Sequence, residues 1–224
     1  MIKRTPTGIP GLDALIEGGF IQGSVNLLTG ETGTGKTIFS SQYLWEGLQR
    51  GESCVYISLE ESPQDIKQDS SLFGWDFEKF EKKGLCKIIY HDPAQVNNLG
   101  AVLADEITNM EATRLVIDST AIMGLVIENL AQIRRRIMNL IGTLKRVGCT
   151  SILTSEIPES SKALSRFGVE EFATDSVIIL NYLGLGEVSA RSLVIRKMRG
   201  TNHGKDVYPF NITKHGIVVK KPEL

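Results

Sequence analysis

The chain has 224 residues, 42% of them hydrophobic, and its 25 lysines and arginines are balanced by 26 acidic residues. This length and composition predict a single α/β domain over residues 1–224. The near-zero net charge gives no basic excess of the kind typical of proteins that bind nucleic acid or anionic membranes. No apolar run reaches membrane-spanning length and no signal-peptide core is found, so we expect a cytoplasmic protein without membrane contact.

Apolar and amphipathic segments alternate along most of the chain. They predict strands at 25–28, 54–59, 86–90, 115–117 and 150–154, with helices at 38–48, 63–73, 99–110 and 129–147. Later strands separated by short turns are predicted at 177–180, 192–198, 207–212 and 217–219. The order indicates an α/β fold with a mostly parallel central sheet flanked by helices and antiparallel strands at the C-terminal end.

The segment 30–37 satisfies the phosphate-binding loop pattern, with the sequence GETGTGKT. It follows a predicted strand and precedes a predicted helix, as this loop requires, because the helix N-terminus offers backbone N–H groups to phosphate oxygens. Lys36 has the reach to neutralise the outer phosphates, and the Thr37 hydroxyl is suited to bind Mg²⁺. The sequence therefore predicts a nucleotide site with Mg²⁺.

Asp118 ends a short apolar strand, at the sheet edge where ligands bind in open α/β folds. We expect its carboxylate to hold Mg²⁺ through water. The alternative is that Asp118 caps the segment that follows the strand.

Two adjacent carboxylates, Glu60 and Glu61, end another strand at the same predicted edge. A carboxylate near the outer phosphate can orient or deprotonate the attacking water, so the pair is a candidate for the hydrolytic base. The alternative is a helix start, where acidic residues favour the positive end of the helix dipole. Which of the two acts as the base is left open.

Lys197 and Arg199 lie two residues apart on a predicted strand, so both side chains share one face while Met198 points to the other. Two cations on one face suit a phosphate group. A solvated strand face explains them equally well from the residues alone.

Together these segments resemble the KaiC-type branch of the RecA-like ATPases over nearly the whole chain. The resemblance is carried by TGIPGLD at 7–13, the phosphate loop, SLEESP at 58–63, FGWD at 73–76, IDS at 117–119, GVEEF at 168–172 and KMRGTNH at 197–203.

The resemblance implies ATP hydrolysis within a regulatory or signalling assembly, with Glu60 and Glu61 as the hydrolytic carboxylates. Nucleotide would lie between subunits of a ring, usually six-membered, and Lys197 and Arg199 would reach the nucleotide of a neighbouring subunit. The implied nucleotide contacts are Gly33, Thr34, Gly35, Lys36, Thr37, Ile38, Leu72, Lys197, Met198, Arg199, Thr201, His203, Thr213 and Lys214. Glu171 and Phe172 replace the Ser and Thr phosphorylated in a second domain of some members, which excludes autophosphorylation there.

Two other functions are compatible with the same core. The first is a RecA-like recombinase that binds DNA, but the segment 156–175 carries Glu156, Glu159, Glu170, Glu171 and Asp175 against Lys162 and Arg166, a balance that repels DNA. The second is a slowly hydrolysing scaffold that presents a nucleotide-dependent surface to another protein. We therefore expect contacts with copies of itself and with a regulatory protein, and none with nucleic acid.

Overall fold

The computed structural model describes residues 2–159, 161, 163–182 and 191–220. Its strands are β1 (Arg4–Thr5), β2 (Phe20–Ile21), β3 (Val25–Gly30), β4 (Cys54–Ser58), β5 (Cys86–Tyr90), β6 (Arg114–Asp118), β7 (Thr150–Glu156), β8 (Ser176–Tyr182), β9 (Arg191–Met198), β10 (Val207–Thr213) and β11 (Gly216–Val219). The α-helices are α1 (Lys36–Gln49), α2 (Pro63–Ser71), α3 (Phe77–Glu81), α4 (Leu99–Met110), α5 (Met123–Val126), α6 (Leu130–Val147) and α7 (Glu170–Ala173). Short 3₁₀ turns lie at Asp13–Leu15, Pro93–Asn98 and Thr120–Ile122.

Nine strands form one sheet in the order β11-β10-β9-β8-β3-β7-β6-β4-β5, and β1 pairs separately with β2. The strands from β8 to β5 run parallel to one another, whereas β9, β10 and β11 follow as antiparallel neighbours. The predicted fold class is therefore confirmed. One detail differs, because β8 is antiparallel only to β9 and extends the parallel sheet beside β3.

Both faces of the parallel sheet are buried, as crossover helices require. Successive side chains of each strand enter opposite cores: Val55 and Ile57 of β4 face one apolar cluster while Cys54 and Tyr56 face the other. Helices α1, α2 and α3 cover the second cluster, and α4 and α6 cover the first. The loops at the strand ends are thus held on a rigid layer.

Local signals fix the longest helix. Asn129 caps α6 through its side-chain oxygen, which accepts from the N–H groups of Ala131 and Gln132, and Gly148 ends the helix with φ 76°. The predicted end at Gly148 is confirmed. Within the described ranges, no helix combines the length and apolar character needed to cross a membrane.

A buried arginine ties the N-terminal segment to the sheet. Arg114 of β6 is fully buried, and its Nε donates to Glu52 Oε2 at 2.6 Å. Its Nη1 donates to the carbonyl oxygens of Pro6 at 2.7 Å and Tyr43 at 2.9 Å, and the guanidinium lies 4.7 Å from the centre of the Tyr43 ring. Such a charge is stable inside a protein only when its donors are satisfied, so these contacts are required together.

We expect Arg114→Met to lower the free energy of unfolding by about 3 kcal/mol, because it removes the donor to the partly buried Pro6 carbonyl and Glu52 carboxylate and the second donor to the Tyr43 carbonyl. The matched control is Lys87→Met, which removes an exposed ion pair to Glu106 at 2.6 Å and should cost less than about 1 kcal/mol. Urea denaturation of both variants measures the difference. Equal losses would contradict the assignment of Arg114 as a structural tie.

Candidate functional site

The phosphate loop connects the end of β3 to the start of α1. Gly33 and Gly35 adopt left-handed backbone conformations, with φ of 75° and 100°, which glycine enters without strain. The loop thereby turns sharply and leaves the first N–H groups of α1 available to an anion. Lys36 Nζ donates to the carbonyl oxygens of Gly30 and Glu31, each at 3.0 Å, so the ammonium lies across the loop.

Three hydroxyl groups converge on the carboxylate of Asp118. Thr37 Oγ1 donates to Oδ2 at 2.9 Å, Tyr56 OH donates to the same oxygen at 2.7 Å, and Thr154 donates to Oδ1. Since the Thr37 proton is directed at Asp118, the lone pairs of its oxygen remain available to a cation. Oxygen ligands of this kind are those Mg²⁺ prefers, so the residues fit the predicted ion.

Glu60 and Glu61 leave the end of β4 beside this carboxylate. Their backbone N–H groups both donate to Ser58 Oγ, at 3.3 and 2.9 Å, and Ser119 Oγ donates to the Glu60 carboxylate. Desolvation raises the pKa of both glutamates above the ordinary value, and the negative charge of Asp118 raises it further. A raised pKa makes a carboxylate a better proton acceptor near neutral pH.

These groups line a cavity of about 340 Å³ at the carboxyl ends of β3, β4, β6 and β7. It joins the phosphate loop, the start of α1, both glutamates and Asp118. Desolvation lowers the pKa of Lys36 in this cavity, while the neighbouring carboxylates of Glu156, Asp118 and Glu60 act in the opposite direction. The cavity is therefore a charged site whose cation and anions face the same space.

Two charged cavity residues were not identified as site residues from the sequence. Glu156 ends β7, and its Oε1 accepts from Thr32 of the phosphate loop at 2.9 Å. Its position after an apolar strand is the same signal that identified Asp118. Arg191 enters the cavity from the start of β9, and its guanidinium lies 4.3 Å from the centre of the Tyr182 ring. No local pattern marks Arg191, since its place depends on strand pairing.

Lys197 and Arg199 lie near the amino ends of the parallel strands, whereas the cavity lies at their carboxyl ends. Gly30 is level with Leu193 of β9, whereas Met198 is level with Asn26. Four residues of strand separate these two levels, or roughly 13 Å. Lys197 Nζ donates to the carbonyl oxygen of Glu171 at 2.7 Å, and Arg199 Nη2 to that of Phe172 at 3.2 Å.

The remaining predicted contacts divide between the cavity end of the strands, called the cavity edge, and the opposite end, called the far edge. Thr201 and His203 follow Arg199 at the far edge, where Thr201 Oγ1 accepts from Arg4 at 3.0 Å. Thr213 ends β10 and Lys214 begins the turn that follows it at the cavity edge, next to Ile212, which lines the cavity. Leu72 is exposed at the end of α2 and lies outside the cavity lining, and Met198 is buried in the core.

The strand-loop-helix at the centre of a parallel sheet, with carboxylates at the ends of neighbouring strands, defines a P-loop nucleotide-binding ATPase domain of the RecA-like class. A family profile described as "ATPase: KaiC" matches residues 5–224. The chain therefore belongs to the KaiC-type ATPase family.

Several relatives align with nearly the whole chain. The UPF0273 protein of Pyrococcus furiosus is 39% identical, covering 98% of this chain and 94% of that protein. The circadian clock protein KaiC3 of Synechocystis is 36% identical, covering 97% of this chain and 46% of that protein. Among solved structures, the crystal structure of a KaiC-like protein from Pyrococcus horikoshii superposes with a TM-score of 0.90 at 42% identity, covering 99% of this chain and all of that one.

We expect Glu60→Gln to raise the melting temperature at neutral pH. Because the pKa of Glu60 is raised in the folded protein, ionisation opposes folding, and this cost appears as pH rises through the folded pKa. Glutamine stays neutral and still accepts from Ser119. The difference between variant and wild type should therefore grow as the pH rises from about 4 towards and above neutrality. Melting curves across this range test it, with the exposed Glu128→Gln as the control, and a difference independent of pH would contradict it.

Proposed function

We propose that this protein is a Mg²⁺-dependent ATPase that acts in a regulatory or signalling assembly, with ATP bound between subunits of a ring, most simply a homo-hexamer. One observation carries the proposal: the phosphate loop, the Thr37–Asp118 contact and both candidate bases open into one cavity. Phosphoryl transfer to water requires these three components together.

Each component has a role in binding or reaction. The phosphates would lie on Gly33, Thr34, Gly35, Lys36, Thr37 and Ile38, with the Lys36 ammonium moving from the loop carbonyls to the outer phosphates. Mg²⁺ would be held by Thr37 directly and by Asp118 through water, and would neutralise charge on the phosphates. Glu60 or Glu61 would orient and deprotonate the attacking water.

The site of one subunit lacks cations for the outer phosphate beyond Lys36 and Arg191 among the described lining residues. Lys197 and Arg199 are directed to another surface of the same subunit. In a cyclic assembly with head-to-tail interfaces, that surface can face the cavity of the next subunit. We therefore assign Lys197 and Arg199 to the neighbour's nucleotide, where they would stabilise the charge that develops during hydrolysis.

The positions of the remaining predicted contacts indicate how two neighbouring subunits would share the contacts to ribose and base. Thr201 and His203 lie with Lys197 and Arg199, so they would approach the nucleotide from the neighbouring subunit. Thr213, Lys214 and Leu72 would instead contact the nucleotide bound to their own subunit, where they would border the base. Met198 lies between Lys197 and Arg199, so its backbone would approach the same neighbouring nucleotide as these two cations.

The exposed surface near the cations supports assembly. Phe172 is 71% exposed although it is large and apolar, and the Arg199 side chain beside it is 57% exposed. Aromatic and arginine side chains are enriched where proteins contact one another. A subunit interface that covers Phe172 would also deliver Arg199 to its target.

The sequence argument against the recombinase alternative is weakened, although no geometric observation favours that alternative. Glu170 is fully buried and Glu156 lines the cavity, so neither presents charge to DNA as the sequence analysis assumed. Lys162 lies outside the described residues. A slowly hydrolysing scaffold differs from the proposed ATPase only in its rate of hydrolysis. Measurement of the turnover number therefore decides between the two.

The shared site is tested by mixing two inactive proteins. Glu60→Gln/Glu61→Gln lacks the base, and Lys197→Ala/Arg199→Ala lacks the cations. We expect each to hydrolyse ATP at least about 100-fold more slowly than wild type. Mixed and reassembled in equal amounts, they should recover roughly a quarter of the wild-type rate, because about one interface in four joins an intact cavity to intact cations. No recovery in assembled mixtures would contradict a shared site.

The Mg²⁺ site is tested by two tyrosine variants. Tyr56→Phe removes one donor to Asp118, so we expect roughly tenfold more Mg²⁺ to be needed for half-maximal hydrolysis. Tyr43→Phe is the matched control, since Tyr43 OH donates to the carbonyl oxygen of Thr150 at 2.9 Å, away from Asp118. Titration of the ATPase rate with Mg²⁺ compares them, and equal requirements in both variants would refute the role of Asp118.

A further inference from the structure

Glu170 is a fully buried carboxylate that the proposed reaction does not use. Its Oε1 accepts from Ser155 Oγ at 3.0 Å, and its Oε2 accepts from Ser165 Oγ at 2.8 Å and from the N–H of Val169 at 3.2 Å. Burial of a carboxylate is costly unless its oxygens are satisfied. Ser165 Oγ also lies within hydrogen-bonding distance of the Glu171 carboxylate, so its one proton is shared, while Ser155 and the N–H of Val169 serve Glu170.

One end of this cluster reaches the nucleotide cavity. Ser155 belongs to β7 and directly precedes Glu156, whose carboxylate accepts from Thr32 of the phosphate loop. Ser155 Oγ also accepts from the N–H of Arg166 at 3.2 Å, which connects the following loop to the same strand. Glu170 is thus fixed to the part of β7 that lines the subunit's own cavity.

The other end reaches the two cations. Glu170 is the first residue of α7, and its carbonyl oxygen accepts from Thr174 Oγ1 at 2.8 Å, which closes the turn. The next two carbonyl oxygens, those of Glu171 and Phe172, accept from Lys197 and Arg199. Helix α7 therefore supplies one acceptor to each cation, and Asp175 beyond the helix gives Arg199 a second contact at 3.7 Å.

We propose that Glu170 is a positioning residue that anchors α7 to the cavity end of β7, so that each subunit holds Lys197 and Arg199 in place for its neighbour. This inference rests on the proposed shared site. A carboxylate suits the task because it accepts several donors at once from β7, the loop and α7. Loss of the anchor should misplace the cations and slow hydrolysis in the adjacent subunit, while nucleotide binding to the variant's own cavity persists.

The test places Glu170→Gln in one partner of the mixed assembly at a time. The base-deficient subunit supplies cations, and the cation-deficient subunit supplies the cavity. We expect the rate to fall roughly tenfold or more when Glu170→Gln is in the cation-supplying subunit, and less than about twofold when it is in the cavity-supplying one. A purely structural defect would lower the rate from either position.

Two further variants keep the test decisive if Glu170→Gln folds poorly. Ser155→Ala removes one donor to Glu170 and should show the same dependence on position. Ser151→Ala is the control on the same strand, since Ser151 Oγ donates to the carbonyl oxygen of Cys149 at 2.9 Å, away from Glu170. Binding of a fluorescent ATP analogue should stay unchanged in every variant subunit, whereas the turnover number should fall with Glu170→Gln and Ser155→Ala but not with Ser151→Ala.

The outcomes separate the two proposals. If the parent mixture recovers activity and Glu170→Gln slows it equally from both positions, the positioning role is wrong and the shared site stands. If the parent mixture shows no recovery, the shared site fails, and the role of Glu170 fails with it.

Discussion

The carboxylate of Asp118 fixes the geometry on which the rest of the site depends. Its two oxygens accept from hydroxyl groups of three elements, Thr37 at the start of α1, Tyr56 of β4 and Thr154 of β7. The helix that carries the phosphate loop is thereby attached to two strands of a sheet buried on both faces. Hydrogen bonds to an ionised acceptor are stronger than neutral ones, so the loop is held in place before any nucleotide arrives.

The direction of the strands decides what one subunit can supply. Parallel strands bring their carboxyl ends to one edge, where the loop, Asp118, Glu60, Glu61 and Glu156 meet. The antiparallel strand β9 begins at that edge with Arg191 and ends at the other with Met198. Lys197 near the end of β9 and Arg199 just beyond it are therefore separated from their own cavity by the length of the strand. This separation is a physical reason for a site completed by a second subunit.

Much of this arrangement is predictable from the sequence, because its signals are local. The loop pattern identified Lys36 and Thr37, and apolar runs ending in acidic residues identified Asp118, Glu60 and Glu61. Gly148 marked the end of α6. Each of these features depends on residues close together in the chain.

The remainder depends on pairing between distant residues. The cavity position of Arg191 and the far-edge position of Lys197 follow from the register of β9 with β8, which hydrophobic periodicity does not specify. Glu170 was counted as a surface charge, yet it is buried because Ser155 and Ser165 satisfy it. A polar residue with partners far along the chain resembles a solvated one until the fold is known.

The most direct test of a shared site is the ATPase rate per subunit measured together with the mass of the protein in solution, over a wide range of protein concentration. The account predicts that activity follows the assembled fraction and that the isolated subunit is nearly inactive, since its Lys197 and Arg199 are directed away from its own cavity. An isolated subunit that hydrolyses ATP as fast as the assembly would contradict it.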